Sequence, residues 1–105
     1  MQQFDVYANT SKTTSRAYPF IVDIQSDIIS GISTRIVVPL GRKADFKKEE
    51  MRRLTPTITY EGEEFLFLVP QIASMPAKVL KNPIGSLSHL REELMAALDF
   101  AITGI

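Results

Sequence analysis

Thr57-Ile58-Thr59-Tyr60, then Glu61-Gly62-Glu63, then Glu64-Phe65-Leu66-Phe67-Leu68-Val69: two β-prone runs flank a glycine. Both runs are rich in β-branched and aromatic residues, the types that fit a pleated, half-buried surface. Gly62 supplies the positive φ that a tight reversal demands. The stretch predicts a β-hairpin, the clearest in the chain, and points the fold toward antiparallel pairing.

Working outward, Phe4-Asp5-Val6-Tyr7 alternates apolar and polar residues and predicts a short strand. Asn9 to Arg16 is rich in Ser, Thr and Lys and reads as a polar loop. Tyr18 to Ile24 predicts a second strand, with Pro19 marking an edge or a strand start. Ser30-Gly31-Ile32-Ser33 reads as a turn before the strand Arg35-Ile36-Val37-Val38-Pro39-Leu40. Arg42 to Arg53 reads as either a short helix or a charged loop. Its mixed signs favour a solvated face over a binding patch. Ala77-Lys78-Val79-Leu80 is a candidate for one more short strand. Several short strands at close spacing predict a compact antiparallel sheet or small barrel.

The last segment changes period. Leu87, Leu90, Leu94, Ala97 and Ala101 recur at helical intervals, and a second row of Met95, Leu98 and Ile102 widens the apolar face. Ser86 or Ser88 could cap the start of this helix. One sheet face cannot cover a helix apolar on most sides, so its second half, with Met95, Leu98 and Ile102, is expected at a dimer interface. The final Thr103-Gly104-Ile105 reads either as a tail that docks into a partner or as a frayed end, and composition alone favours the latter.

Composition narrows the function classes. The chain has 105 residues, 45% of them hydrophobic and 23% charged, which suits a single soluble domain over residues 1–105. Twelve basic residues balance twelve acidic ones. That argues against direct binding to nucleic acid through phosphate neutralisation. There is no cysteine, so disulfides and thiolate chemistry are absent. Met1-Gln2-Gln3-Phe4-Asp5 lacks the pattern of a signal peptide, and no apolar run nears the roughly 20 residues that span a bilayer. The expected location is the cytoplasm, with no membrane partner.

Catalytic signals are missing. The one histidine, His89, reads as a helix-start packing residue rather than a general base, and one His without Cys makes no typical zinc site. Glu49-Glu50, Glu63-Glu64 and Glu92-Glu93 form no acid–base motif, and the glycines form no phosphate loop. No enzyme activity, metal or cofactor is expected.

Two blocks carry a family resemblance. The first is Val22-Asp23-Ile24-Gln25-Ser26-Asp27-Ile28-Ile29, followed by Val37-Val38-Pro39-Leu40. The second is Ile72-Ala73-Ser74-Met75-Pro76, leading through Leu87-Ser88-His89 to the terminal Gly104-Ile105. In order and spacing the chain resembles the CcdB toxins from about residue 2 to its end. The resemblance implies a mainly β fold with a C-terminal helix: an SH3-like partly open barrel or twisted antiparallel sheet, assembled as a homodimer. It implies a toxin that binds the GyrA polypeptide of DNA gyrase and traps the cleaved gyrase–DNA complex. It further implies neutralisation by a CcdA-like antitoxin, with operator DNA bound only through the toxin–antitoxin complex.

By the same resemblance, Ser26, Ile28, Ile29, Asp99, Thr103, Gly104 and Ile105 match gyrase-contacting positions. Gln3, Phe4 and Tyr7 match a supporting group, although Phe4 reads equally well as sheet core. Thr103 stands where well-known members carry tryptophan, and Asp99 where asparagine is expected. The competing reading is a MazF- or Kid-type endoribonuclease on the same fold, using a surface arginine such as Arg35. A third is a toxin homologue that no longer poisons anything.

Overall fold

The computed structural model describes residues 2–26 and 31–104. Strands β1 (Asp5–Ala8), β2 (Phe20–Asp23), β3 (Thr34–Arg42), β4 (Thr57–Tyr60), β5 (Glu63–Phe67), β6 (Ala73–Pro76) and β7 (Gly85–Ser86) precede helix α1 (Arg91–Thr103). All strand pairs are antiparallel, in the order β4-β5-β3-β2-β1-β7, with β6 also on β3. The fold is mainly β, a curled half-barrel with one C-terminal helix, as expected from the sequence.

The hairpin is β4–β5, with Tyr60 opposite Glu63. Its loop has two residues rather than three, because Glu61 joins Gly62 at positive φ (54° and 77°). Two consecutive left-handed residues make the type of turn whose twist matches the strands it joins. The second strand stops at Phe67, and Val69 lies in a 3-10 turn with Pro70.

Strand β3 is the spine. It pairs with β2 along one side, and on the other with β6 through Thr34–Val37 and then β5 through Leu40–Arg42. Pro39 falls between those two partners, where its missing N–H interrupts neither ladder, and its carbonyl accepts from the Leu68 amide at 3.1 Å. The two ends of the strand order are brought together by Tyr60 of β4, whose hydroxyl donates to the Ile84 carbonyl at 3.4 Å. A Cβ on Gly85 would collide with that ring, so a glycine is what lets β7 approach β4. Phe20 fills the curl, edge-on to Tyr60 and Phe65 at 5.2 and 5.4 Å.

Helix α1 covers the concave face. Leu94, Ala97 and Leu98 join Val6, Val22, Val38, Leu40, Phe65, Phe67 and Leu87 in one core. Burying a leucine there contributes about 1.5–3 kcal/mol. A second, smaller cluster of Tyr7, Ile21, Val37 and Leu80 sits apart from it.

Three expectations need correction, and for Pro19 the structure selects one of the two alternatives. Ala77–Val79 is a 3-10 turn, and the strand is Ala73–Pro76, which closes where Pro76 has no N–H to give; the next amide, Ala77, donates to Ser33. Residues 42–53 form neither an α-helix nor a plain loop but two 3-10 turns, Lys43–Asp45 and Lys47–Glu49. Phe46 interrupts them by turning inward to stack on Tyr18 at 5.7 Å. Neither Ser86 nor Ser88 caps α1, which starts at Arg91 after a 3-10 turn, Ser88–Leu90; Ser86 Oγ instead accepts from the Ser88 amide at 3.1 Å. Pro19 marks the start of β2, not an edge, since β2 lies between β1 and β3.

Tyr7 makes a testable point. Among the described residues its hydroxyl is a buried polar atom with no hydrogen-bond partner. Burial, then Asp5 and Asp23, push its pKa above 10.0, while Arg35 pulls the other way. The Tyr60 pKa is raised too, chiefly by burial and then by Glu61. Since the folded pKa exceeds the unfolded one, unfolded tyrosine loses its proton first. The stability held below about pH 10 is therefore lost as pH climbs through the folded value. Tyr7→Phe removes an unmet hydroxyl and will raise stability by up to about 1 kcal/mol. It will also flatten the alkaline decline to the share left by Tyr60. Urea unfolding at pH 7 and between pH 9 and 11 checks both, and a clear loss of stability at pH 7 would refute the assignment.

Candidate partner-binding surface

The surface begins where β2 ends. Asp23 is fully buried; its Oδ1 accepts from the Gln25 amide at 3.0 Å, a local turn that stops the strand. Its Oδ2 accepts from Arg35 Nε at 2.8 Å and Nη2 at 2.7 Å. Gln25, also buried, lends its side-chain carbonyl to the Ile36 amide at 3.2 Å, and its backbone carbonyl lies 3.5 Å from Arg35 Nη2. The side chain of Gln25 thus stands in for a strand carbonyl one step beyond the regular ladder. Ser26 follows, half-buried.

The N-terminal residues lock onto this bend. Gln3 Nε2 donates to the Ile24 carbonyl at 3.0 Å, and Gln3 Oε1 accepts from Arg91 Nη1 at the start of α1. Phe4 holds a φ of 70°, its amide donating to the Asp23 carbonyl and its own carbonyl accepting from the Leu87 amide at 2.8 Å. A left-handed phenylalanine is uncommon, and here hydrogen bonds to Asp23 and Leu87 hold it in place. The Arg91 guanidinium lies 5.8 Å from the Phe4 ring centre.

Gln3 is thus fixed to the segment that leads, two residues beyond Ile24, to Ser26. Phe4 and Tyr7 do not reach the surface with their side chains, both being buried, Phe4 in the main core and Tyr7 in the small cluster. The side chains of these two belong to the fold. Ile28 and Ile29 lie outside the described residues. Arg35 is no surface arginine: it is 6% exposed and committed to Asp23, so it is not available to an RNA phosphate.

The second group lies at the far end of α1. Asp99, Thr103 and Gly104 are exposed, and Ile105 lies outside the described residues. Thr103 Oγ donates back to the Asp99 carbonyl at 2.7 Å, and Gly104, at φ 75°, caps the helix through its amide to the Phe100 carbonyl at 2.9 Å. From Arg91 to Thr103 is about 18 Å along the helix at 1.5 Å per residue. Within one chain the two groups stand at opposite ends of α1.

The interface row splits. Ile102 is 78% exposed and Met95 is partly buried. Leu98 is buried in the chain's own core and is not available as an interface contact, because the helix turns that side onto the sheet. Two contributors went unread in the sequence. Arg91 joins Gln3, and Arg53 lies 3.9 Å above the Phe100 ring, beside the exposed helix end. Neither contact has a local signal, since each spans dozens of residues.

Among the described residues no group of three or more His, Asp or Glu is placed to hold a metal ion, and no helix is long and apolar enough to cross a membrane. What the arrangement offers is a braced polar bend and an exposed apolar helix end, features that suit protein recognition. The profile of a family described as CcdB protein matches residues 3–104.

Proposed function

The chain belongs to the CcdB family, and from that premise we propose that it is the toxin of a type II toxin–antitoxin module, acting on the GyrA polypeptide of DNA gyrase. The observation that carries this reading is the family match over residues 3–104, which runs through Gln3, Ser26 and the end of α1. The toxin binds and does no chemistry of its own. By preferring gyrase in its DNA-cleaved state it shifts the population toward that state, and the break persists.

The working unit of this proposal is a homodimer in the cytoplasm. Pairing through the α1 ends covers Ile102 and joins two copies of Thr103-Gly104-Ile105 into one central patch. A two-fold toxin can then meet a two-fold gyrase along a shared axis. Asp99 and Ser26 extend the contact, with Ile28 and Ile29 following Ser26 in sequence. A CcdA-like antitoxin neutralises the toxin, and the pair represses its own operator.

A gyrase–DNA cleavage assay with purified protein and ATP, run beside a total-RNA lane, tests the reading. Linearised, protein-linked plasmid with intact RNA is the expected result. Cut RNA with intact plasmid would move the protein to the ribonuclease class, and silence in both lanes would identify an inactive homologue.

A further inference from the structure

We infer that the buried Asp23–Arg35 pair is a positioning device for the partner-contact surface, fixing the Ile24–Gln25 bend that holds Gln3 and Ser26 in place. The inference rests on the gyrase reading for its partner but not for its geometry. Asp23, Gln25 and Arg35 are three of the four buried polar residues among those described, the other being Thr55, and all three meet at this bend. Each bond of the network ends on the segment leading to Ser26. Asp23 takes the Gln25 amide, Arg35 reaches the Gln25 carbonyl, and Gln25 binds the Ile36 amide. Gln3 is attached to the same segment through the Ile24 carbonyl, which joins it in turn to Arg91.

A buried ion pair is a weak source of stability, because removing two charges from water offsets their attraction. Well-packed apolar replacements of both partners are often neutral or stabilising. Geometry is what such a pair supplies here. A carboxylate at the last residue of β2 can accept from Gln25 and Arg35 at once, whereas an apolar side chain leaves the bend without its acceptor.

The test is the double variant Asp23→Leu/Arg35→Met, measured three ways: thermal unfolding, amide hydrogen exchange at Gln25 and Ile36, and affinity for purified GyrA. The expected result is unfolding at or above the native temperature, exchange faster by about tenfold or more, and affinity lower by about tenfold or more. Gln25→Met, which keeps the ion pair and removes the acceptor for the Ile36 amide, is expected to shift exchange and affinity the same way. If the double variant fails to fold, Arg35→Lys decides the matter, since it keeps a cation beside Asp23 but gives up the two-nitrogen contact and the reach to the Gln25 carbonyl. Unchanged exchange in the variants would overturn the inference, as would affinity loss that merely tracks lost stability. Native protein that does not bind GyrA would sink the target reading instead. The exchange result alone would then stand for or against the positioning role.

Discussion

Arg35→Met as a single substitution will destabilise the protein by about 3–5 kcal/mol, because it strands the Asp23 carboxylate where no water reaches it. The pair is worth little in net terms, yet breaking it is costly, and the two statements have one cause. Desolvation of both charges is already built into the folded state, and each charge is the other's compensation. Removing one leaves the penalty without the attraction. A double-mutant cycle makes the asymmetry visible: Asp23→Leu added to Arg35→Met will bring stability back to the native level or above. The solvent-exposed pair Arg42–Glu63, at a similar 2.9 Å, supplies the control. Arg42→Met will change stability by less than about 1 kcal/mol, since water solvates the glutamate left behind. Urea unfolding of the five proteins (native, the two single variants, the double variant and Arg42→Met) settles the comparison. A loss below about 1 kcal/mol for Arg35→Met would mean that the Gln25 amide serves Asp23 better than the guanidinium does.

That pair also marks where reading the sequence stopped working. The hairpin at Glu61-Gly62 was legible because its signal is local: a glycine at a reversal and alternation on both sides. The C-terminal helix was legible because its apolar residues repeat at 3.6, and its buried face is Leu94, Ala97 and Leu98. Arg35 sits in a strand where an arginine would ordinarily face water. Its partner is twelve residues away, and nothing between them announces the contact. β6 was missed for a different reason. Ala-Ser-Met-Pro has little intrinsic β preference, and it is a strand only because β3 offers Thr34–Val37 as a template. The more β-prone Ala-Lys-Val-Leu just after it turns instead. Tertiary pairing overrode propensity there, as it did at α1, where helical spacing alone assigned Leu98 to a partner that its own sheet already replaces.

Part of the candidate surface was legible and part was not, by the same logic. Gln3 and Ser26 came from resemblance, and the structure adds that Gln3 is tied to the Ile24 carbonyl, in the bend that precedes Ser26. Phe4 admitted two readings, core or surface, and its burial assigns the side chain to the core. Its left-handed backbone stands next to Gln3, which donates to the Ile24 carbonyl. Arg91 and Arg53 could not be singled out from a chain with twelve basic residues of balanced charge. Their roles depend on Gln3 and Phe100, far away in sequence.

A chain ending at Thr103 will keep its fold and lose its growth arrest. The Thr103 hydroxyl donates back into its own helix at the Asp99 carbonyl, so this position lacks the broad aromatic anchor that a tryptophan would give. If the helix ends form the gyrase contact, as proposed, the burden passes to the two residues beyond. Gly104 is exposed and caps α1 through one amide, which limits the structural cost of its removal to about 1 kcal/mol or less. The functional cost is expected to be far larger: about thirtyfold or more in affinity for GyrA, equivalent to about 2 kcal/mol, because an apolar residue in a central patch occurs twice in a symmetric dimer. Ile105→Ser separates the two effects, since it keeps the glycine cap and removes only the apolar side chain. Both variants should unfold close to the native chain and fail to arrest a gyrase-sensitive host. Arrest that survives truncation would move the contact elsewhere, with Ser26 and Gln3 the first alternative. Loss of folding in both would instead make the terminus part of the scaffold.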